Sequence, residues 1–258
     1  MKITALVENT PGNKDVQVEH GLSLYIETQG KKILFDMGQS GAFSENAEKL
    51  GIDLTAVDVA ILSHGHYDHG GGLAAFRRIN KTAPVYLSQY AFQPHLNGEG
   101  KNIGLPPELI ACSGLKFTGD IAFLGNGLKL YTCNERQKKY PMPNSGMQAV
   151  IDGVTREDDF RHEQYLLIEE AGKRVLITGC SHKGILDLTQ WFQPDVLIGG
   201  FHFFKLPVDE TLGEYARILN SSKTRYYTCH CTGTEQFAYL KQRMERLEYL
   251  ACGQSVEI

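Results

Sequence analysis

Residues Ile61–Gly72 read ILSHGHYDHGGG, with His64, His66, Asp68 and His69 inside six positions and three glycines behind them. Imidazole nitrogen and carboxylate oxygen together suit a borderline divalent cation such as zinc, manganese or iron. His64 and His66 are two apart, so at the end of an extended strand they project to the same side. Asp68 and His69 follow where the chain turns towards a helix, and such a turn can aim them at a second ion beside the first. Gly65 and Gly70–Gly72 let the backbone bend tightly beneath the ions. The helix that follows offers its N-terminus to an anionic substrate group. A solvated histidine-rich loop is the bland alternative. The apolar run VAIL that feeds directly into the cluster speaks against it.

Four ligands do not complete a two-metal site, and a catalytic site also keeps positions open for water or substrate. Three later histidines stand in matching places. His182 in TGCSH lies just past an apolar strand and before a helix, where it points into a cleft at the strand ends. His230 in CHC is placed alike. His202 in GGFHF ends a further strand and reads either as a substrate contact or proton donor or as a histidine packed among Phe201, Phe203 and Phe204. The functional reading is preferred, because His202 shares an edge with the other two. Cys229 and Cys231 flank His230 on the opposite face and read as core thiols. A separate zinc on Cys-His-Cys lacks a fourth ligand nearby. His20 has no assigned role, and His95, alone in an irregular loop, is expected to face solvent.

These residues need elements to hold them. LSLYIETQGKKILFDMG reads as two strands around the hairpin turn Gln29-Gly30. A helix is expected over about Glu45–Leu50, stopped by Gly51. GGLAAFRRI has helical spacing. Residues 90–116, with Pro94, Pro106, Pro107 and several glycines, read as an irregular insertion over the site. From Glu163 onwards strand and helix alternate. EQYLLIEEAGKRVLITGC is a hairpin, and KGILDLTQWF, DETLGEYARILN and TEQFAYLKQRMERL are helices, the last with an apolar stripe at Phe237, Leu240 and Met244. The class is therefore α/β. No linker or repeat divides the chain, so residues 1–258 are expected to form one domain.

The chain has 258 residues, 42% hydrophobic and 22% charged, with a net charge of −4. This balance leaves no electrostatic footprint for nucleic acid, and the short run Arg136–Lys139 is explained as well by a solvated loop. The N-terminal stretch is broken at once by Glu8, Asn9 and Pro11 and is no signal peptide. No apolar run approaches the roughly 20 residues of a membrane span. A cytoplasmic protein with no membrane partner follows, and its six cysteines then read as thiols or ligands rather than disulfides. Neither glycine-rich nucleotide fingerprint fits GQSGAFS or GEGKNIG, and GCSHKG is not a serine-hydrolase elbow.

HGHYDH resembles the H-x-H-x-D-H signature of the metallo-β-lactamase superfamily. VLITGCSHKGI, DVLIGGFHF and YYTCHCTG, in that order, are similar to its branch related to 7,8-dihydropterin-6-methyl-4-(β-D-ribofuranosyl)aminobenzene-5′-phosphate synthase. The resemblance implies a four-layer αβ/βα sandwich. It implies a metal set of His64, His66, Asp68, His69, His182 and His230 holding two divalent ions, zinc with manganese or iron as alternatives. His230 matches the superfamily's last ligand histidine. On the resemblance, Asp36 in ILFDMG accepts a hydrogen bond from a ligating histidine; the alternative is a turn aspartate before Gly38. Where the superfamily has a bridging aspartate in T-G-D, this chain has Thr178-Gly179-Cys180. Either Cys180 or His182 is then the middle ligand, and His182 is preferred. His162 stands near the usual third-histidine position, but the related branch tends to carry an acidic residue there, so it reads as a surface histidine.

The implied activity is hydrolysis of a small-molecule ester, with a phosphoester, phosphodiester or pterin-related substrate favoured over a thioester, lactone or amide. Asp68 is expected to orient the nucleophile, and His202 to protonate the leaving group or steady developing charge. The competing class is a sensor or effector that binds metal and turns nothing over. Di-iron redox members bring a flavin domain for which 258 residues leave no room.

Overall fold

The computed structural model describes residues 1–258 and contains two seven-stranded mixed sheets. The first has the spatial order Ser255–Glu257, Lys2–Val7, Ser23–Thr28, Lys31–Phe35, Val59–Ile61, Val85–Ser88, Leu115–Thr118. The second runs Leu247–Tyr249, Arg225–Thr228, Val196–Gly199, Lys173–Ile177, Tyr165–Glu170, Leu128–Tyr131, Ile121–Gly125. The expected hairpin is present: Thr28 pairs with Lys31, and Gln29 and Gly30 both have positive φ, 51° and 73°. Two such residues make the turn whose twist matches the flanking strands.

Side-chain alternation sets the layers. Ile33 and Phe35 point into a core shared with Leu166, Ile168, Val175, Ile177 and Ile198 of the other sheet. Leu34, between them, points the opposite way and packs with Phe43, Ala47, Leu73 and Phe76 of the helices Ala42–Lys49 and Leu73–Ile79. In the second sheet Leu167, Leu176 and Leu197 face the helices Ile185–Phe192, Glu210–Ser221 and Thr234–Lys241, through Leu188, Leu212 and Leu240. Both sheets are thus covered on both faces, helix–sheet–sheet–helix. This is why their central strands are continuously apolar rather than alternating. No helix is long and apolar enough to cross a membrane.

The stretch 90–116 is more ordered than its prolines and glycines suggested. His95–Leu96 forms a short strand against Gln148–Ile151, in a small third sheet completed by Val154–Glu157. Leu115–Thr118 extends the first sheet beside Val85–Ser88. The pairing is non-local, so periodicity within the stretch could not show it. The last helix ends at Lys241, and Met244 of the expected stripe is buried just beyond it.

Ile177 sits where the two sheets meet and is fully buried. Ile177→Ala should lower unfolding free energy by about 2–5 kcal/mol. Urea denaturation followed by far-UV circular dichroism checks this; a loss below 1 kcal/mol would mean that the shared core is not where the stability lies.

Candidate metal centre

The site lies along one end of the sandwich, where strands from both sheets stop. Val59–Ile61 releases the chain into His64–His69, Lys173–Ile177 into Cys180–His182, Val196–Gly199 into His202, and Arg225–Thr228 into His230. The turns there are tight. A Cβ on Gly65 would come 2.1 Å from Ala91 O, and one on Gly179 would come 2.2 Å from Ser63 Oγ. Within the motif Tyr67–Gly70 forms a single helical turn, and the helix expected after it is present as Leu73–Ile79, seven residues long.

The donors converge in two overlapping sets. Potential ligand atoms of His64, His66 and His182 lie within 4.8 Å of one another, as do those of His64, His69 and Cys180. Asp68 joins the second region, with Oδ2 3.4 Å from His230 Nε2 and 3.7 Å from His69 Nε2. Cys180 and His182 are therefore not rivals for one position. His182 stands on the His64–His66 side, and Cys180 Sγ lies 3.2 Å from His69 Nε2.

Hydrogen bonds aim the rings. Asp36 Oδ2 accepts from His69 Nδ1 at 2.7 Å and from Ser63 Oγ at 2.7 Å, while Oδ1 accepts from Ser63 N at 2.7 Å. Since the Ser63 hydroxyl donates to Asp36, its oxygen receives the His64 Nδ1 proton, at 2.8 Å. Asn9 Oδ1 accepts from His230 Nδ1 at 2.8 Å. In His64, His69 and His230 the Nδ1 proton is thereby engaged, and each Nε2 lone pair is left for the centre.

What remains fits a cation. His64 Nε2 and both nitrogens of His182 are buried without a hydrogen-bond partner, and His66 lines the cleft beside His182. His69 Nε2 and His230 Nε2 face each other at 3.2 Å. Orphaned buried nitrogens are costly, and a divalent ion satisfies several at once. Burial pushes His64, His66 and His182 well below the ordinary imidazole pKa, and takes His230 down to about 4. For His69 burial acts the same way, but the carboxylates of Asp36 and Asp68 outweigh it and raise the pKa. The region thus combines neutral nitrogen donors with a place that favours positive charge.

Other residues depart from their sequence reading. His162 is not at the surface: it is fully buried, and its Nδ1 accepts from Gly65 N at 2.9 Å. His95 does not face solvent: it too is fully buried, with Nδ1 2.9 Å from Asp158 Oδ2. His20 Nε2 lies 3.3 Å from Asp68 Oδ2 at the cleft rim. Cys229 belongs to the inter-sheet core as expected, whereas Cys231 lines the cleft beside Cys180 and His230. Glu163 and Gln164 carried no functional reading, yet they hold the site's frame. Glu163 accepts from the backbone N of His182 and of Lys183, and Gln164 Nε2 donates to Leu62 O at 2.8 Å. A His-Glu-Gln run directly before an apolar strand was the available signal.

His202 has φ 56° and stands in the cleft wall, its ring 4.4 Å from that of His182. Burial lowers its pKa to about 4. The cleft has a volume of about 180 Å³, with His66, Asp68, His182, His202 and His230 among its lining residues and Lys205 beside them.

The family model described as the metallo-beta-lactamase superfamily matches residues 16–165. The chain belongs to the metallo-beta-lactamase superfamily. Proteins similar to this chain cover nearly its whole length. The crystal structure of Tm1679, described as a metal-dependent hydrolase of the beta-lactamase superfamily, has a TM-score of 0.85 at 29% identity, covering 100% of this chain and 99% of that one. In Methanocaldococcus jannaschii, 7,8-dihydropterin-6-methyl-4-(beta-D-ribofuranosyl)-aminobenzene-5'-phosphate synthase is 26% identical, covering 100% of this chain and 96% of its own length. An uncharacterised protein of the same organism is 27% identical, covering 93% of this chain and 94% of its own length. The expected sandwich and the resemblance to the superfamily and to its dihydropterin-related branch are thus borne out.

Asp36→Ala removes the acceptor that orients His69 and, through Ser63, His64. Zinc affinity should fall about 10–100-fold, measured by chelator competition. Unchanged affinity would reduce Asp36 to a turn residue before Gly38.

Proposed function

We propose that this protein is a metal-dependent hydrolase of a small-molecule ester. The observation that carries this is the convergence, from the ends of the strands Val59–Ile61 and Lys173–Ile177, of His64, His66 and His182, with buried nitrogens of His64 and His182 that no group of the protein satisfies. In this reading His64, His66 and His182 hold one divalent ion. Asp68, His69 and His230, with Cys180 beside them, hold another. Zinc suits the mixed nitrogen, oxygen and sulfur donors, with manganese or iron as alternatives. Bound there, such ions supply a nucleophilic water at neutral pH and polarise the scissile bond.

The chain's own residues do the rest. Asp68, held by His20 and His230, orients the nucleophile. His202 is uncharged at neutral pH in this environment, which suits hydrogen-bond donation to developing negative charge better than delivery of a full proton. Lys205 at the cleft gives an anionic group of the substrate a counter-charge. A cleft of about 180 Å³ suits a compact reacting group. These features favour a phosphoester or phosphodiester, and the pterin-phosphate name of one relative makes a pterin-related phosphate the first compound to try. We infer that residues 1–258 act as one domain, in the cytoplasm, on a small molecule and not on nucleic acid.

Turnover of phosphomonoesters, phosphodiesters, thioesters and lactones by zinc- or manganese-loaded protein tests the reading. Phosphoester cleavage should lead the panel. Inactivity at full metal occupancy would favour a sensor or effector, and lactone or thioester turnover alone would overturn the phosphoester assignment. His66→Ala should lose metal and activity with a smaller loss of fold; unchanged metal content by elemental analysis would remove His66 from the ligand set. His202→Ala should keep its metal and lower kcat by about 10²–10³-fold. Unaltered kcat would make His202 a packing residue.

A further inference from the structure

Behind His66, away from the other donors, lies a second buried cluster: His95, Asp158 and His162, exposed by 0%, 3% and 0%. One potential ligand atom from each of these and from His66 lies within 4.8 Å of the others. His95 and His162 stack, with ring centroids 3.8 Å apart and planes at 30°. The His66 ring lies 5.4 Å from that of His95 and 5.1 Å from that of His162. The Nε2 atoms of His66, His95 and His162 are all buried without a hydrogen-bond partner.

Three histidines and an aspartate suggest another cation site, but the proton positions argue otherwise. Gly65 N donates to His162 Nδ1 at 2.9 Å, so that nitrogen carries no proton. A neutral His162 then carries its proton on Nε2, 3.4 Å from Asp158 Oδ2, and has no lone pair left for a metal. Asp158 Oδ2 also takes the Nδ1 proton of His95 at 2.9 Å. Asp158 Oδ1 is occupied by Phe160 N at 2.7 Å, which fixes the carboxylate. The unused capacity of the cluster is a single lone pair, on His95 Nε2. His66 Nε2 is likewise buried without a partner, on a ring 5.4 Å from that of His95.

We propose that Asp158 and His95 are positioning residues for His66: Asp158 keeps the His95 proton on Nδ1, and His95 Nε2 accepts the proton of His66 Nε2, which leaves His66 Nδ1 as the metal donor. The ring spacing accommodates such an N–H···N bond once the two nitrogens face. His162 fastens the assembly to the backbone of the motif loop at Gly65. Asp158 and His95 thus do for His66 what Asp36 does for His69, from the other side of the centre. The inference rests on the metal-centre reading for its consequence, but not for its proton assignments.

The test uses full-length protein, zinc as the probe, chelator competition for affinity and long-range ¹H–¹⁵N spectra for imidazole tautomers. In Asp158→Asn the Phe160 N–H still claims the remaining oxygen, so the amide N–H₂ replaces Oδ2. That donor drives the His95 proton to Nε2, where it opposes the His66 proton. Wild type loaded with zinc should show His66 protonated at Nε2 and His95 at Nδ1. Asp158→Asn should bind one of two zinc ions about 10–100-fold more weakly. His95→Gln, whose amide oxygen can still accept from His66, should retain more affinity than His95→Ala, and this pair serves if Asp158→Asn does not fold. Wild-type affinity in all three variants, or a His66 proton on Nδ1, overturns the inference while leaving the metal centre standing. Three zinc ions in wild type and two in Asp158→Asn overturn it in favour of a further cation site. Wild type that takes up no zinc overturns the metal-centre reading itself, and the tautomers of the metal-free protein then still decide whether Asp158 directs His95.

Discussion

The Asp36 carboxylate is the constraint on which the first wall of the site depends. It stands just past the strand Lys31–Phe35, with its own N–H given to Ile61 O and its carbonyl taken by Ser23 Oγ. Its φ of 62° lies in the left-handed region, which a non-glycine residue adopts at a cost. That conformation directs the carboxylate under the neighbouring strand end, where Ser63 N, Ser63 Oγ and His69 Nδ1 all donate to it. Hydrogen bonds to a charged acceptor contribute about 1.5–3 kcal/mol each, and these three offset the strained backbone. They also decide which nitrogen of His64 and of His69 carries a proton, and so which one is left to bind.

The second wall is tied to the first by one short segment. His162 takes the Gly65 N–H, Gln164 N donates to Ser63 O at 2.7 Å, and Gln164 Nε2 reaches Leu62 O. Glu163, between them, turns the other way and gathers the N–H groups of His182 and Lys183. Consecutive side chains thus bind opposite sheets. The separation of His64 from His182 is set by this seam and not only by the apolar core behind it. Apolar packing is non-directional; the placing of ligand atoms to a few tenths of an ångström needs directional bonds.

The sequence carried the fold and about half of the site, for a physical reason that divides the residues cleanly. His64, His66, Asp68 and His69 lie within one turn of chain, so their proximity is covalent and can be read directly. His182, His202 and His230 were legible because each ends an apolar strand, and ends of parallel strands share one edge of a sheet. His20, His95, His162 and Asp158 follow neither pattern. The burial of His95, His162 and Asp158 depends on pairing between Gln148–Ile151 and His95–Leu96, some fifty residues apart, and on loops that close over the end of the sandwich, while His20 stays exposed at the cleft rim. A lone histidine between prolines gives no sign of that, and the surface assignment of His162 failed for the same reason. Cys180 and His182 looked like alternatives because one ligand was being counted; the backbone turn at Ser181, with φ 59°, sends them to different sides.

That turn bears on selectivity between the two halves of the centre. The His64–His66–His182 half offers only imidazole nitrogen, while the half around His69 and His230 adds a carboxylate and a thiol. The first set suits a neutral donor environment, the second a cation whose charge Asp68 offsets and whose softness Cys180 matches. Burial raises the Cys180 pKa well above that of a free thiol, with Cys231 adding to the rise. Ionising it therefore requires a strong local positive charge, such as a neighbouring ion. In the two-ion reading proposed above, donation by the Cys180 sulfur would thus require an ion held at His69 and His230.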